Sequence, residues 1–171
     1  NFRQVSDNTI NWEGATPHRG WYINLLNTEG SNTDNYGERQ VSSAVIRHDR
    51  IIFTTLIPST DSCAAGGTGW LMELDAESGG ALQASPYDTN NDGVIDDNDL
   101  IDTDGDGVGD TAVGGIQPGG EAGGIPSTPA IIDDPSSENE YKEVGTSTGN
   151  IETILESGGS TERRQSWREV R

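Results

Sequence analysis

Along the chain, hydrophobic positions gather in short runs separated by polar, glycine-rich stretches. Segments rich in β-branched and aromatic residues alternate with glycine-rich polar turns, which is the pattern of a sheet protein. The pattern predicts strands over GWYINLL (20–26), SSAVIRHD (42–49), RIIFTTLIP (50–58), GWLMELD (69–75), TPAIID (128–133), YKEVGT (141–146) and NIETILE (150–156). In GWLMELD, Trp70, Met72 and Leu74 alternate with Leu71, Glu73 and Asp75. One face is therefore expected in the core and the other partly wet. NIETILE also fits a helical period, but no cap precedes it and a turn-like TSTGN does, which favours a strand. Residues 1–19 and 27–38 are polar and irregular and are assigned no element.

Two of the strands end in related turns, DAESGG (75–80) and GTSTGN (145–150). Ser78 and Thr148 lie seventy positions apart, and setting aside the acidic residues 88–110 leaves forty-seven, about the length of a four-stranded propeller blade. The expected fold is all-β, a partial propeller made of final blades with a loop inserted between blade elements. Within one domain of 1–171 the reading places blade elements at 1–85, the insertion at 86–112, a glycine-rich linker at 113–126 and final blade elements at 127–171. The stretch GGIQPGGEAGGIP (114–126) reads as a flexible return.

Charge changes this picture. The chain has 29 acidic and 10 basic residues, a net charge of −19. Nucleic acid and insertion into an anionic membrane are poor fits to such a surface. Leu, Ile, Val and Phe supply 32 of 171 residues, a level that with high net charge points towards disorder. Nine of the negative charges sit in DTNNDGVIDDNDLIDTDGDGVGD (88–110), which has no lysine or arginine. Two unit charges about 4 Å apart repel by roughly 1 kcal/mol in water and about 4 kcal/mol at the effective dielectric of a protein surface. A bound cation would remove that cost. No apolar run approaches the roughly 20 residues of a membrane span, and the opening at Asn1 without a signal pattern suggests a mature or excised piece of an exported protein. Cys63 is the single cysteine, so it is either a small buried hydrophobe or a partner for another chain.

The aspartates are spaced, not scattered. An EF-hand-like loop takes oxygen ligands at positions 1, 3, 5, 7, 9 and 12 with glycine at 6. Counting from Asp88 yields Asp88, Asn90, Asp92, Gly93, the Val94 carbonyl, Asp96 and Asp99, with every position filled. Asp99 stands where glutamate is usual, which predicts weaker affinity and less discrimination against magnesium. Counting again from Asp102 yields Asp102, Asp104, Asp106, Gly107, the Val108 carbonyl and Asp110, with Val113 where a terminal carboxylate would be. DTDGDGVGD is also similar to the calcium repeats of thrombospondin type 3. The expected cofactor is Ca2+, two ions, with the stretch disordered or extended without them; a solvated acidic linker is the plain alternative.

Catalytic readings fare poorly. Gly145-Thr-Ser147-Thr-Gly149 matches the GxSxG elbow, but that motif needs a histidine later in the chain, and His18 and His48 both precede it. The two histidines are isolated, and no HExxH motif, Walker loop or cysteine cluster is present, so a non-enzyme is expected. The terminal TERRQSWREVR gathers four of the ten basic residues around Trp167. It reads as a last strand whose arginines pair with the acidic surface, or alternatively as a docking peptide.

RGWYINL (19–25), the block at 37–80, the DxNxDGxxD loop at Asp88 and RQSWREV (164–170) together resemble the C-terminal β-propeller domain of PilY-type proteins, the type IV pilus tip and biogenesis factors. The resemblance implies a modified propeller and an exported, pilus-associated protein of the cell surface without catalysis. It further implies a calcium loop, at Asp88, Asn90, Asp92, Val94 and Asp96 here, tied to pilus extension against retraction and to adhesion. The implied partners are pilins or minor pilins, a host or abiotic surface, and another chain that supplies missing blades. Three features depart from the family pattern: the second loop at Asp102, Ser62 where a proline usually stands before the cysteine, and a length that suffices for about two blades. Unpaired strand edges follow from the last and favour, as an alternative, a peripheral filament subunit joined by strand complementation. A quinoprotein-like enzyme is a third reading, suggested by DAESGG.

Overall fold

The computed structural model describes residues 1–25, 37–60 and 66–158. Ten strands run through them: β1 (Phe2–Arg3), β2 (Arg39–Gln40), β3 (Val45–Arg47), β4 (Arg50–Pro58), β5 (Gly67–Thr68), β6 (Leu71–Asp75), β7 (Gly115–Ile116), β8 (Ala130–Asp133), β9 (Asn139–Gly145) and β10 (Ile151–Ser157). All pairings are antiparallel. Seven strands form one sheet in the order β1-β7-β6-β4-β2, with β3 and β5 also paired to β4. The other three form a second sheet, β10-β9-β8. The only helical segments among the described residues are two 3-10 turns, Asp97–Asp99 and Gly120–Ala122. The chain is all-β, as its β-branched runs and glycine-rich turns predict.

RIIFTTLIP becomes the long central strand β4, since β-branched residues fill both faces of a strand with neighbours on each side. β3 turns into β4 through His48 and Asp49, both at positive φ (49° and 59°), with Arg47 opposite Arg50. Two residues in that conformation match the right-handed twist of the flanking strands. The acidic residue and histidine take the place of the usual Asn-Gly. NIETILE is a strand paired over its whole length with β9.

GWYINLL departs from expectation, for residues 20–25 pair with no strand. Side chains hold that segment instead: Trp21 Nε1 donates to the Ala76 carbonyl at 3.1 Å, and Ile23 and Leu25 pack on a cluster of Val5, Phe53, Met72 and Leu74. GWLMELD departs too, because Leu71, Met72, Glu73 and Leu74 are all fully buried, and only the ends Trp70 and Asp75 are partly exposed. Period two correctly separates the faces but cannot tell that both are covered. A second cluster of Ile52, Leu71, Tyr87, Val113 and Val144 fills the space between the sheets. Full burial of one such aliphatic side chain is worth about 1.5–3 kcal/mol.

The glycine-rich return at 113–126 carries β7, and its Val113, Gly114, Gly115, Gln117 and Pro118 are buried. It is laid against β6 and β1 by ladder bonds. Cys63, residues 27–36 and the arginine-rich terminus from 159 onward lie outside the described residues.

Candidate metal centre

Residues 88–110 leave the sheets as two consecutive turns built on one backbone plan. In the first, Asp88 Oδ1 accepts from Asp92 N at 3.2 Å and Oδ2 from Gly93 N at 2.9 Å. Asn90 Oδ1 accepts from Asp92 N at 2.8 Å, and Asp92 Oδ1 from Val94 N at 2.8 Å. The second turn repeats this fourteen residues later. Asp102 Oδ1 accepts from Gly105 N at 2.6 Å and Oδ2 from Gly107 N at 2.8 Å. Asp104 Oδ1 accepts from Asp106 N at 3.1 Å, and Asp106 Oδ1 from Val108 N at 2.8 Å. Short acidic side chains bond readily to backbone two residues on, so the spacing Dx[DN]xD builds successive Asx turns. Gly93 and Gly107 sit at φ +84° and +89°, a conformation that a side chain would strain.

The loops close differently. Asp99 is fully buried; its Oδ1 accepts from Thr89 N at 2.7 Å and Asn90 N at 3.3 Å, and its Oδ2 from Asp96 N at 2.9 Å. Asp96 caps the 3-10 turn through Asn98 N at 2.8 Å, so the two aspartates form a reciprocal capping box. The second loop closes through Asp110, which accepts from Thr103 Oγ1 at 2.7 Å and Thr111 Oγ1 at 2.9 Å. These hydroxyls hold the Asp110 carboxyl below its ordinary value. The amides of Gly107 and Gly105 do the same for Asp102. A short bridge between Ile101 and Thr111 joins the two ends of the second loop.

Among the described residues, the carboxylates that converge are Asp102, Asp104 and Asp106, with ligand atoms all within 4.8 Å of one another. All three are exposed. The first loop offers Asn90 where the second has a carboxylate, and it turns Asp99 towards backbone amides. Val94 and Val108 are exposed at 55% and 65%, on the surface of their turns.

Where the insertion enters and leaves the fold, a second set of charges appears that sequence reasoning missed. Lys142 Nζ, fully buried, donates to Glu73 Oε2 at 3.0 Å, to Glu140 Oε1 at 3.1 Å and to Glu156 Oε2. Arg50 pairs with Glu73, and lies 3.6 Å from Glu140. Arg47 Nε reaches Glu140 Oε2 at 2.8 Å and its Nη2 reaches Asp133. Glu73 belongs to one sheet and Glu140, Lys142 and Glu156 to the other, so the ions bridge the seam. Burial alone would raise the Glu140 carboxyl, but Lys142 and Arg47 more than offset it and hold it below its ordinary value. Tyr87, buried beside Glu73, is pushed well up, chiefly by burial. A signal was legible: Glu140 and Lys142 share strand parity with Val144, which places their side chains on the core face.

The GxSxG match at 145–149 falls at the end of β9 and in the turn that follows it. Ser147 lies in the turn between β9 and β10 and accepts a bond from Ile125 N at 2.9 Å. No helix of the described residues is long and apolar enough to cross a membrane.

No family model matches the chain. Among individual proteins, the type IV pilus biogenesis factor PilY1 of Pseudomonas aeruginosa is 28% identical over 98% of this chain. A PilY1 homolog of Xylella fastidiosa is 41% identical over 63 residues. The chain spans 13% of the length of the Pseudomonas relative. The crystal structure of the Pseudomonas aeruginosa PilY1 C-terminal domain superposes with a TM-score of 0.69 at 19% identity, covering 93% of this chain and 28% of that one. The chain is thus similar in sequence to PilY1 across almost its whole length, and similar in fold to the PilY1 C-terminal domain.

Proposed function

We propose that the chain is a calcium-binding, non-catalytic module of a type IV pilus, acting at the cell surface in pilus biogenesis, extension and retraction, or tip adhesion. The two sheets are read as final blades of a modified propeller, and the insertion as its regulatory loop. The observation that carries the reading is the repeated Asx-turn scaffold, which twice aims side-chain oxygens into a turn on a chain related to PilY1. The donors are carboxylates, one amide and peptide carbonyls, a hard all-oxygen set that suits Ca2+ and not a soft metal. Asp88, Asn90, Asp92, the Val94 carbonyl and Asp96 would hold one ion. Asp102, Asp104, Asp106, the Val108 carbonyl and Asp110 would hold the other. Asp99 joins the first set by its place in the motif, although its bonds to three amides favour a closing role. Bound calcium would supply the positive charge that the insertion lacks.

Calorimetric titration of the chain with CaCl2 tests the reading. Saturable binding that Asp92→Ala weakens at least tenfold is the expected result; no heat above dilution would defeat it.

A second reading, a filament subunit joined by strand addition, draws on the edge of the three-stranded sheet at β8, which among the described residues pairs with β9 alone and where Ile132 is 51% exposed. A monodisperse monomer at all concentrations in sedimentation would count against it.

A further inference from the structure

The insertion does not begin and end on the same sheet. Its entry is tied to β10: Ser157 N donates to the Pro86 carbonyl at 2.9 Å and Asp88 N to the Leu155 carbonyl at 3.3 Å, with Tyr87 bridged to Glu156. Its exit is tied to the larger sheet: Glu73 N on β6 donates to the Gly114 carbonyl at 3.0 Å, and Gly114 N to the Arg3 carbonyl at 2.9 Å. Between these anchors Tyr87 and Val113, both fully buried, meet in one core cluster with Leu71 and Val144. Glu73, whose amide bonds the exit, and Glu156, bridged to the entry, share the ammonium of Lys142 with Glu140, and Glu73 does so across the seam. The first proposed calcium ligand, Asp88, follows Tyr87 directly, and Val113 follows the second loop by three residues.

From this we infer that the insertion is a calcium-dependent strap across the seam between the two sheets, with Lys142 as the fixed clasp beneath it. The inference rests on the calcium reading above and adds to it where the ion's effect is delivered. A strap anchored on both sheets resists their separation only when its own two turns are compact. Like charges in the empty turns repel and loosen it, whereas ions in the turns tighten it. Because binding and conformation are linked, calcium must hold the seam closed by the same factor by which a closed seam improves calcium affinity. Lys142 is thus a positioning residue for the calcium loops, although it touches no proposed ligand.

The test is amide hydrogen exchange on the whole chain, with chelator and with calcium at about ten times the measured Kd. Exchange at Glu73, Lys142 and Ser157 is expected to slow about tenfold with calcium, the protection that such an excess confers on the bound form. The amide of Leu56, where β4 pairs with Arg39 of β2 outside the seam ions, serves as the internal reference. Lys142→Met provides the reciprocal arm, with calcium affinity expected to fall at least fivefold by calorimetry. If the wild type binds no calcium, the calcium reading itself fails and the strap with it. If it binds calcium and slows exchange only within residues 88–110, calcium binding stands and the strap is overturned. Should Lys142→Met not fold, the wild-type exchange pattern decides alone.

Discussion

The molecule holds carboxylates in two places and by opposite means. At the seam, Glu73, Glu140 and Glu156 are fully buried, and Lys142, Arg50 and Arg47 neutralise them through the protein's own covalent frame. In the insertion nine aspartates have no lysine or arginine among them, and most remain exposed, held by backbone amides. Burial makes an unpaired carboxylate so costly that its counter-charge must be built in. Exposure lets water and diffusible ions serve, so charge balance in the insertion becomes conditional on the medium. The same carboxylate group is therefore permanent architecture in one region and a candidate sensor in the other.

The comparison breaks most visibly at Lys142. Lys142→Ala leaves three buried glutamates facing each other and is expected to cost about 3–5 kcal/mol, the range for removing one partner of a buried ion cluster. Urea unfolding monitored by tryptophan fluorescence reads it; a loss below about 1 kcal/mol would show that water reaches the cluster. Acid attacks the same place more gradually. The folded Glu140 carboxyl lies below its ordinary value, so it contributes stability above the unfolded glutamate range and loses it as pH falls through the lower folded value. A melting temperature flat from neutrality to the ordinary glutamate range, then dropping, is the expected profile.

Asp99 sharpens the comparison, because it is the one aspartate of the insertion held in the manner of the seam. Fully buried and bonded to three amides, it leaves them unsatisfied in Asp99→Ala, at a cost of about 1–3 kcal/mol with chelator present. Unfolding in EDTA measures this without any metal. A variant as stable as wild type in EDTA, but deficient in calcium, would make Asp99 a ligand and not a latch.

Much of this was legible before any coordinates. The β-branched run RIIFTTLIP located the central strand β4, the missing cap and preceding turn marked NIETILE as a strand, and the DxNxDGxxD and DxDxDGxxD spacings located both turns down to the glycines at positive φ. Local rules decide such features, and sequence carries local rules directly. The strands of two residues, β1, β2, β5 and β7, were not legible, since two paired residues leave no period to read. GWYINLL misled because its apolar residues pack on a neighbouring cluster instead of joining a ladder. The seam ions escaped for a related reason: Glu73 and Lys142 are sixty-nine positions apart, and only the packing of one sheet on the other makes them neighbours. Asp99 was found as a member of the motif, while its inward orientation depends on where the 3-10 turn ends.

Calcium itself should produce a smaller effect than Lys142→Ala. At tenfold excess over Kd one ion adds about 1.4 kcal/mol to the folded state, a rise in melting temperature of about 3–5 °C for a chain of this size. Differential scanning calorimetry in calcium and in EDTA checks it, and equal midpoints would remove the conditional character assigned to the insertion.

The smallest effect is expected at Asp104, and it separates the two regions most cleanly. Its carboxylate converges with those of Asp102 and Asp106 in the open, and its one recorded bond accepts from Asp106 N at 3.1 Å, which an amide oxygen can also accept. Asp104→Asn therefore removes one like charge while keeping the turn. In EDTA the midpoint should stay within about 2 °C of wild type, as for most surface substitutions, and any change should be upward because repulsion is relieved. In calcium the increment should shrink, since one of the converging carboxylates is gone. A fall in EDTA comparable to that of Asp99→Ala would mean that this turn, like the seam, is held by the protein alone.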